Sequence, residues 1–145
     1  MTKAILVLCT GNSARSIMAE AYLNHIGRGE WVAFSAGSKP TGRVNPFALA
    51  ALSAAAIPAP MNPRSKSWDE FAAPGAPPLD LVLTVCDNAA NETCPNFAGR
   101  HRTVHLPFAD PAAVEGSDTI KLAAFSACLE LMRPQLLALI APNDH

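Results

Sequence analysis

The chain carries little charge: only 16% of its 145 residues are Asp, Glu, Lys or Arg, and they nearly cancel to a formal −1. Such a surface has no overall attraction for polyanions, so neither nucleic acid nor an anionic membrane is an expected partner. Long apolar runs are missing as well. Runs such as Ala4–Cys9 and Leu136–Ala141 fall far short of the ~20 residues that cross a bilayer. No small-residue cleavage pattern follows Met1–Lys3, so no secretory leader is expected. Cys9, Cys86, Cys94 and Cys128 do not form two CxxC pairs, which removes the spacing of a structural zinc site. No internal repeat or linker interrupts the chain. These absences point to a cytoplasmic protein with one domain over residues 1–145, whose cysteines serve chemistry or core rather than a disulfide scaffold.

Half the residues are hydrophobic, enough for a substantial core. Ala4–Cys9 is a β-favouring run without a polar face, as in a strand buried on both sides. Thr10-Gly11-Asn12-Ser13 then forms a turn cluster, after which Ile17, Met18, Ala21, Tyr22 and Ile26 recur at helical spacing. Gly27 and Gly29 stop that helix, and Trp31–Ser35 reads as a second strand. Asn45-Pro46 opens an Ala/Leu-rich helix to about Ala56. Leu79–Cys86 reads as a third strand and Thr103–Phe108 as a fourth, with a polar loop between them. Thr119–Ile140 has helical periodicity, with Pro134 as a kink or a join between two helices. This alternation predicts an α/β fold, a parallel sheet with helices on both faces. Ligands of such sheets bind at the carboxyl ends of the strands, where Cys9, Cys86 and Asp110 all fall.

The segment Cys9-Thr10-Gly11-Asn12-Ser13-Ala14-Arg15-Ser16 joins a strand to a helix N-terminus. Backbone N–H groups of such a loop converge on one point, and the helix dipole adds positive charge, so an oxyanion fits. Gly11 is expected to permit the turn, and Arg15 offers a planar fork for two oxygens of a tetrahedral anion. An unperturbed thiol is only about 3% thiolate at pH 7. Helix N-termini and cations can lower its pKa to roughly 3.5–7.5, so the thiolate is expected to be the major form of Cys9. A small apolar cysteine closing a buried strand is the plain alternative for that residue taken alone.

Val7-Leu-Cys-Thr-Gly-Asn-Ser-Ala-Arg-Ser16 with Met18-Ala-Glu20 resembles the signature of the low-molecular-weight protein tyrosine phosphatases and of the arsenate reductases built on the same fold. The resemblance continues through Ser35-Ala-Gly37, Val44-Asn-Pro46, Arg64–Phe71, Thr84–Pro95 and Asp110-Pro111, nearly the whole chain. It implies a four-stranded parallel sheet of order 2-1-3-4. It also implies Cys9 as nucleophile, residues Thr10–Ser16 as the oxyanion-binding loop, and Asp110 as general acid. Asn12, Glu20 and Ser35 resemble residues that brace the loop, where a monovalent cation sits in some members.

Two features separate the branches. The phosphatases usually follow Asp-Pro with aromatic residues that sandwich a substrate ring, whereas Ala112-Ala113-Val114 follow here. They also commonly hold a second loop cysteine at the position of Ala14. The extra thiols of this chain are instead Cys86 and Cys94, which resemble the resolving cysteines of the reductases. Arsenate reduction needs two electrons, and a single thiol can only form an arsenic adduct. The resemblance therefore implies an arsenate reductase with a disulfide relay and no resident cofactor or metal. Its partner is an external reductant, thioredoxin or glutathione with glutaredoxin. Seven residues separate Cys86 from Cys94, one more than in thioredoxin-coupled members, which leaves both reductants open. The alternative function is a phosphomonoesterase using Cys9 and Asp110. A cysteine phosphocarrier is a third class, disfavoured by the pairing of Arg15 with an acid. Arg100, His101 and Arg102 read as a solvated rim, and Cys128, among Leu122, Phe125, Leu129 and Met132, as core.

Overall fold

The computed structural model describes residues 2–60, 63–86, 97, 99 and 101–141. Strand β1 (Lys3–Leu8) is buried at every position after Lys3. It pairs in parallel with β2 (Trp31–Ala36) on one side and β3 (Leu81–Thr84) on the other, and β4 (Arg102–His105) closes the sheet beside β3. The order β2-β1-β3-β4 is the one implied by the resemblance. Burial follows position: β3 is buried throughout, while β4, at the edge, is largely exposed.

The register brings the strand ends to one level. Leu8 stands opposite Ala36 and Thr84, and Thr84 opposite His105. Backbone bonds carry the ladder one step further, from Cys9 N–H to the Ala36 carbonyl (3.2 Å) and from Val85 N–H to that of Leu8 (3.0 Å). Cys9 and Cys86 therefore leave the sheet side by side. Strands β3 and β4 are shorter than the expected Leu79–Cys86 and Thr103–Phe108, while β1 and β2 are not. Beyond β4, the Leu106 and Phe108 N–H groups still donate to the Thr84 (2.9 Å) and Val85 (3.1 Å) carbonyls.

Helix α1 (Arg15–Ile26) returns from the site, and α2 (Pro46–Ala54) starts where Asn45 accepts the Phe47 N–H at 2.9 Å, the cap expected from Asn-Pro. Helix α3 (Asp118–Ile140) is capped by Ser117 and contains Pro134, so the segment is one helix and not two joined there. It buries Phe125, Cys128, Leu129, Met132, Leu136 and Ile140, and Phe125 meets Phe47 of α2 with ring centroids 5.7 Å apart. By length and composition alone α3 is apolar enough to cross a bilayer, although it holds no uninterrupted apolar run of that length. Its Phe125–Ile140 side belongs to the protein core instead. Adjacent residues of β2 face opposite ways: Ser35 meets Glu20 of α1, while Phe34 packs on Phe71 at the end of a short 3-10 helix (Trp68–Phe71). Both faces of the sheet are thus covered.

Candidate active site

The site is built on the turn between β1 and α1. The Thr10 carbonyl accepts the Lys39 N–H (3.0 Å), and that of Ser13 accepts the Asn45 N–H (2.8 Å). The Gly11 carbonyl takes both the Thr41 N–H (3.1 Å) and the Ser65 hydroxyl (2.8 Å). With its carbonyls tied outward, the loop leaves its N–H edge for the opposite side. No side chain caps α1, whose first residue is Arg15, so its first-turn donors and dipole add to that edge. A cradle of donors with a guanidinium at its lip suits a tetrahedral anion.

The residue that makes the turn is Asn12, with a left-handed φ of 46°, and not Gly11 as expected. Asn tolerates this conformation because its short side chain bonds locally. Asn12 is fully buried; its amide donates to the Ser16 hydroxyl (2.8 Å), and its Oδ1 accepts the Lys66 N–H (2.9 Å). Gly37, just after β2, lies so close that a Cβ there would stand 2.6 Å from the Cys9 carbonyl oxygen and closer still to that of Thr10. Ser65, Lys66 and Gly37 were not singled out from the sequence as contacts of the loop. The only signal for them was their place in stretches that resemble the family.

Cys9 and Cys86, both buried and reduced, are in contact through their thiols. Cys86 Sγ also accepts the Thr10 N–H at 3.3 Å and lies 3.6 Å from the Thr10 hydroxyl. The expected thiolate at Cys9 is corrected here. The hydrogen bond with Cys86 and then burial push the Cys9 thiol above its ordinary range, while Arg15 and the Gly11 N–H pull it down. Two thiols in contact titrate as a pair, the ionisation of one opposing that of the other, an effect invisible while Cys86 is 77 positions away in a sequence.

Arg15 and Asp110 meet at the rim. One guanidinium nitrogen donates to the Phe108 carbonyl (2.8 Å), and another lies 3.8 Å from the Asp110 carboxylate. Asp110 caps a 3-10 turn, Pro111–Ala113, by accepting the Ala112 N–H at 2.9 Å. The side chains of Arg15 and Asp110 are 16% and 44% exposed, so the acid sits on the outer side of the pair. Cys128 is core, as expected, but it lies within the fields of Arg15 and Asp110; burial first of all pushes its thiol up to about 11. Cys94, Arg100 and the rest of the loop after Cys86, apart from residues 97 and 99, lie outside the described residues.

A doubly wound α/β protein with an anion cradle after its first strand, a thiol pair inside it and an acid–guanidinium pair at its rim defines a class of oxyanion-handling cysteine proteins. Comparisons with known proteins narrow the class. Residues 4–141 match the family described as low molecular weight phosphotyrosine protein phosphatase. The arsenate reductase of Halalkalibacterium halodurans is 40% identical over 123 residues, covering 85% of this chain and 84% of that one. The arsenate reductase of Bacillus subtilis is 37% identical over 123 residues, with the same coverage. Among solved structures, the low molecular weight protein tyrosine phosphatase of T. tengcongensis superposes with a TM-score of 0.75 at 25% identity, covering 96% of this chain and 98% of that one. The chain belongs to the low molecular weight phosphotyrosine protein phosphatase family.

Proposed function

We propose that this protein is an arsenate reductase in which Cys9, Cys86 and Cys94 pass two electrons to arsenic. The observation that carries this reading is the contact between the reduced thiols of Cys9 and Cys86 inside the oxyanion loop. Hydrolysis transfers no electrons for a second thiol to supply; a reductase needs one.

Arsenate enters the cradle of residues Thr10–Ser16 with Arg15 on two of its oxygens. Cys9, once its proton has left the thiol pair, attacks arsenic. An As–O bond breaks, and Asp110 protonates the departing oxygen as water. Cys86 then attacks Cys9 Sγ. An S–S bond forms, the S–As bond breaks with its electron pair moving to arsenic, and arsenite departs. The two thiols have lost two electrons and arsenic has gained them. Cys94 attacks Cys86 in turn, freeing Cys9 as a thiol and leaving a Cys86–Cys94 disulfide. An external dithiol of the thioredoxin type reduces that disulfide; glutathione with glutaredoxin is the other candidate donor. Such a cycle belongs in the reducing cytoplasm and requires no resident cofactor or metal.

A phosphomonoesterase is the second reading. It is supported by the likeness to the T. tengcongensis phosphatase and by the shared loop and acid. Against it, Ala112, Ala113 and Val114 offer no aromatic wall beside Asp110. The test is arsenite release by the reduced protein with thioredoxin, its reductase and NADPH, beside an arm with glutathione and glutaredoxin. Turnover in the first arm supports the full relay, and turnover only in the second removes Cys94 from it. Silence in both arms with rapid aryl-phosphate hydrolysis would transfer the function to the second reading.

A further inference from the structure

Helix α3 is more apolar than its burial accounts for. By composition it could cross a bilayer, yet only 33% of its most apolar stretch is buried. Among the described residues, the large hydrophobic side chains left most open to solvent are Val114, Ile120, Leu131 and Leu137. Three of them lie on this one helix, and the fourth stands just before it. Leu131, near the middle, is 64% exposed. Ile120, Ala127, Leu131, Pro134 and Ala138 are all exposed and stand at the intervals that bring residues onto one helical face. The core row of Phe125, Leu129, Met132 and Leu136 occupies the opposite side. Beside the exposed stripe run Glu130, Arg133 and Leu137, one row along the helix. Glu130 and Arg133 pair at 3.3 Å, and the Arg133 guanidinium is held over the Tyr22 ring, 5.5 Å from its centroid. An ordered, solvent-open pair of opposite charges thus borders the apolar face.

A contiguous exposed apolar face marks a docking surface. A lipid surface matches this one poorly. Interfacial helices carry an excess of Lys and Arg on their polar face, whereas the charges of α3 are Asp118, Lys121, Glu130 and Arg133, which cancel. A second copy of the same helix matches it well, because the charges beside Leu131 are self-complementary. When identical helices pack antiparallel about a two-fold axis, the same flank of each meets, running in opposite directions. With the axis beside Leu131, Glu130 of each chain faces Arg133 of the other, and Leu131 meets its own counterpart. We propose that α3 is a homodimer interface, in which two copies of this chain pack these helices antiparallel through the exposed stripe. The apolar stripe supplies the affinity, and two reciprocal Glu130–Arg133 pairs across the axis set the orientation. No step of the proposed chemistry uses this face, so the inference stands whichever reaction the site performs.

The test is analytical ultracentrifugation of the reduced full-length protein over a range of concentrations. The parent is expected to show a reversible monomer–dimer equilibrium. Leu131→Lys sets two like charges at the axis and is expected to weaken dimerisation about a hundredfold. Because Leu131 is exposed, the thermal midpoint of that variant at low concentration should stay near the parent's. Glu130→Arg and Arg133→Glu each place like charges across the interface twice, and each alone is expected to weaken it about tenfold. Mixed in equal amounts, these two variants have complementary flanks and should form a mixed dimer about as tight as the parent's. Such recovery comes from contacts between chains, since neither variant regains its own Glu130–Arg133 pair. A parent that stays monomeric at every concentration would overturn the proposal. So would a dimer indifferent to Leu131→Lys, or a pair of charge variants that do not restore each other. Cosedimentation of a monomeric parent with phosphatidylglycerol vesicles would overturn it in favour of a lipid surface.

Discussion

The two sides of Cys9 are built differently. On the inner side, Gly37, Ser65, Lys66 and Asn45 hold the loop through backbone and buried side-chain bonds, and Gly37 approaches too closely for any side chain. On the outer side, Arg15 and the more exposed Asp110 meet at 3.8 Å, Arg15 held by its bond to the Phe108 carbonyl and Asp110 by the Ala112 N–H. Under the proposed function, the inner side would fix where an oxyanion sits and the outer side would supply its guanidinium and its acid. Under the same reading, the arrangement would combine preorganised charge stabilisation with a proton donor at the rim.

The comparison can be broken at several points. The largest effect is expected at the rim: Asp110→Asn should lower the arsenate reduction rate 10²–10⁴-fold, the usual worth of a positioned acid. Its thermal midpoint should stay near the parent's, because Asn can still accept the Ala112 N–H. On the inner side the order reverses. Gly37→Ala should cost about 3 kcal/mol of stability in a denaturant titration, because its Cβ meets backbone oxygens that cannot rotate away. A wild-type midpoint for that variant would mean that the loop is held less tightly than its bonds imply.

Between the two sides stands the thiol pair. Cys86→Ala removes the largest cause of the elevated Cys9 thiol, so the pH profile of iodoacetamide alkylation at Cys9 should move to lower pH. An unmoved profile would mean that burial, not Cys86, sets the thiol. The smallest effect is expected at Glu20, whose carboxyl is raised, chiefly by burial. Its stability contribution is full below the ordinary carboxylate range and is lost as pH rises through the elevated value. Glu20→Gln should therefore gain on the parent in thermal midpoint as pH increases from about 4 to about 7.

Much of this was legible in the residues. The apolar runs around Leu6 and Leu83 gave buried parallel strands, and Asn45-Pro46 gave a helix start, because both signals are local. The order of the sheet and the candidate roles of Asp110 and Cys86 came from resemblance, not from periodicity. What stayed hidden depends on approach in space. The Thr10–Cys86 contact and the Asn12–Lys66 bond join residues more than fifty positions apart, and nothing in either local stretch announces its partner. Gly11 looked like the residue that makes the turn because glycine is the default there. Asn12 took that role because Ser16 and Lys66 satisfy its amide while it holds the left-handed conformation. The ionisation of Cys9 was misjudged for the same reason: the cradle was visible in the sequence, and the thiol pressed against it was not.

The central claim is that Cys86 attacks Cys9 Sγ, so that the two thiols together supply the two electrons that reduce arsenic. Its most direct test is a single turnover of reduced Cys94→Ser protein with excess arsenate and no external reductant, followed by quantification of arsenite and peptide mapping of disulfides. The account requires one arsenite per protein chain and a Cys9–Cys86 linked peptide. Arsenite formed while Cys86 remains a free thiol, or continued turnover without a disulfide, would contradict it.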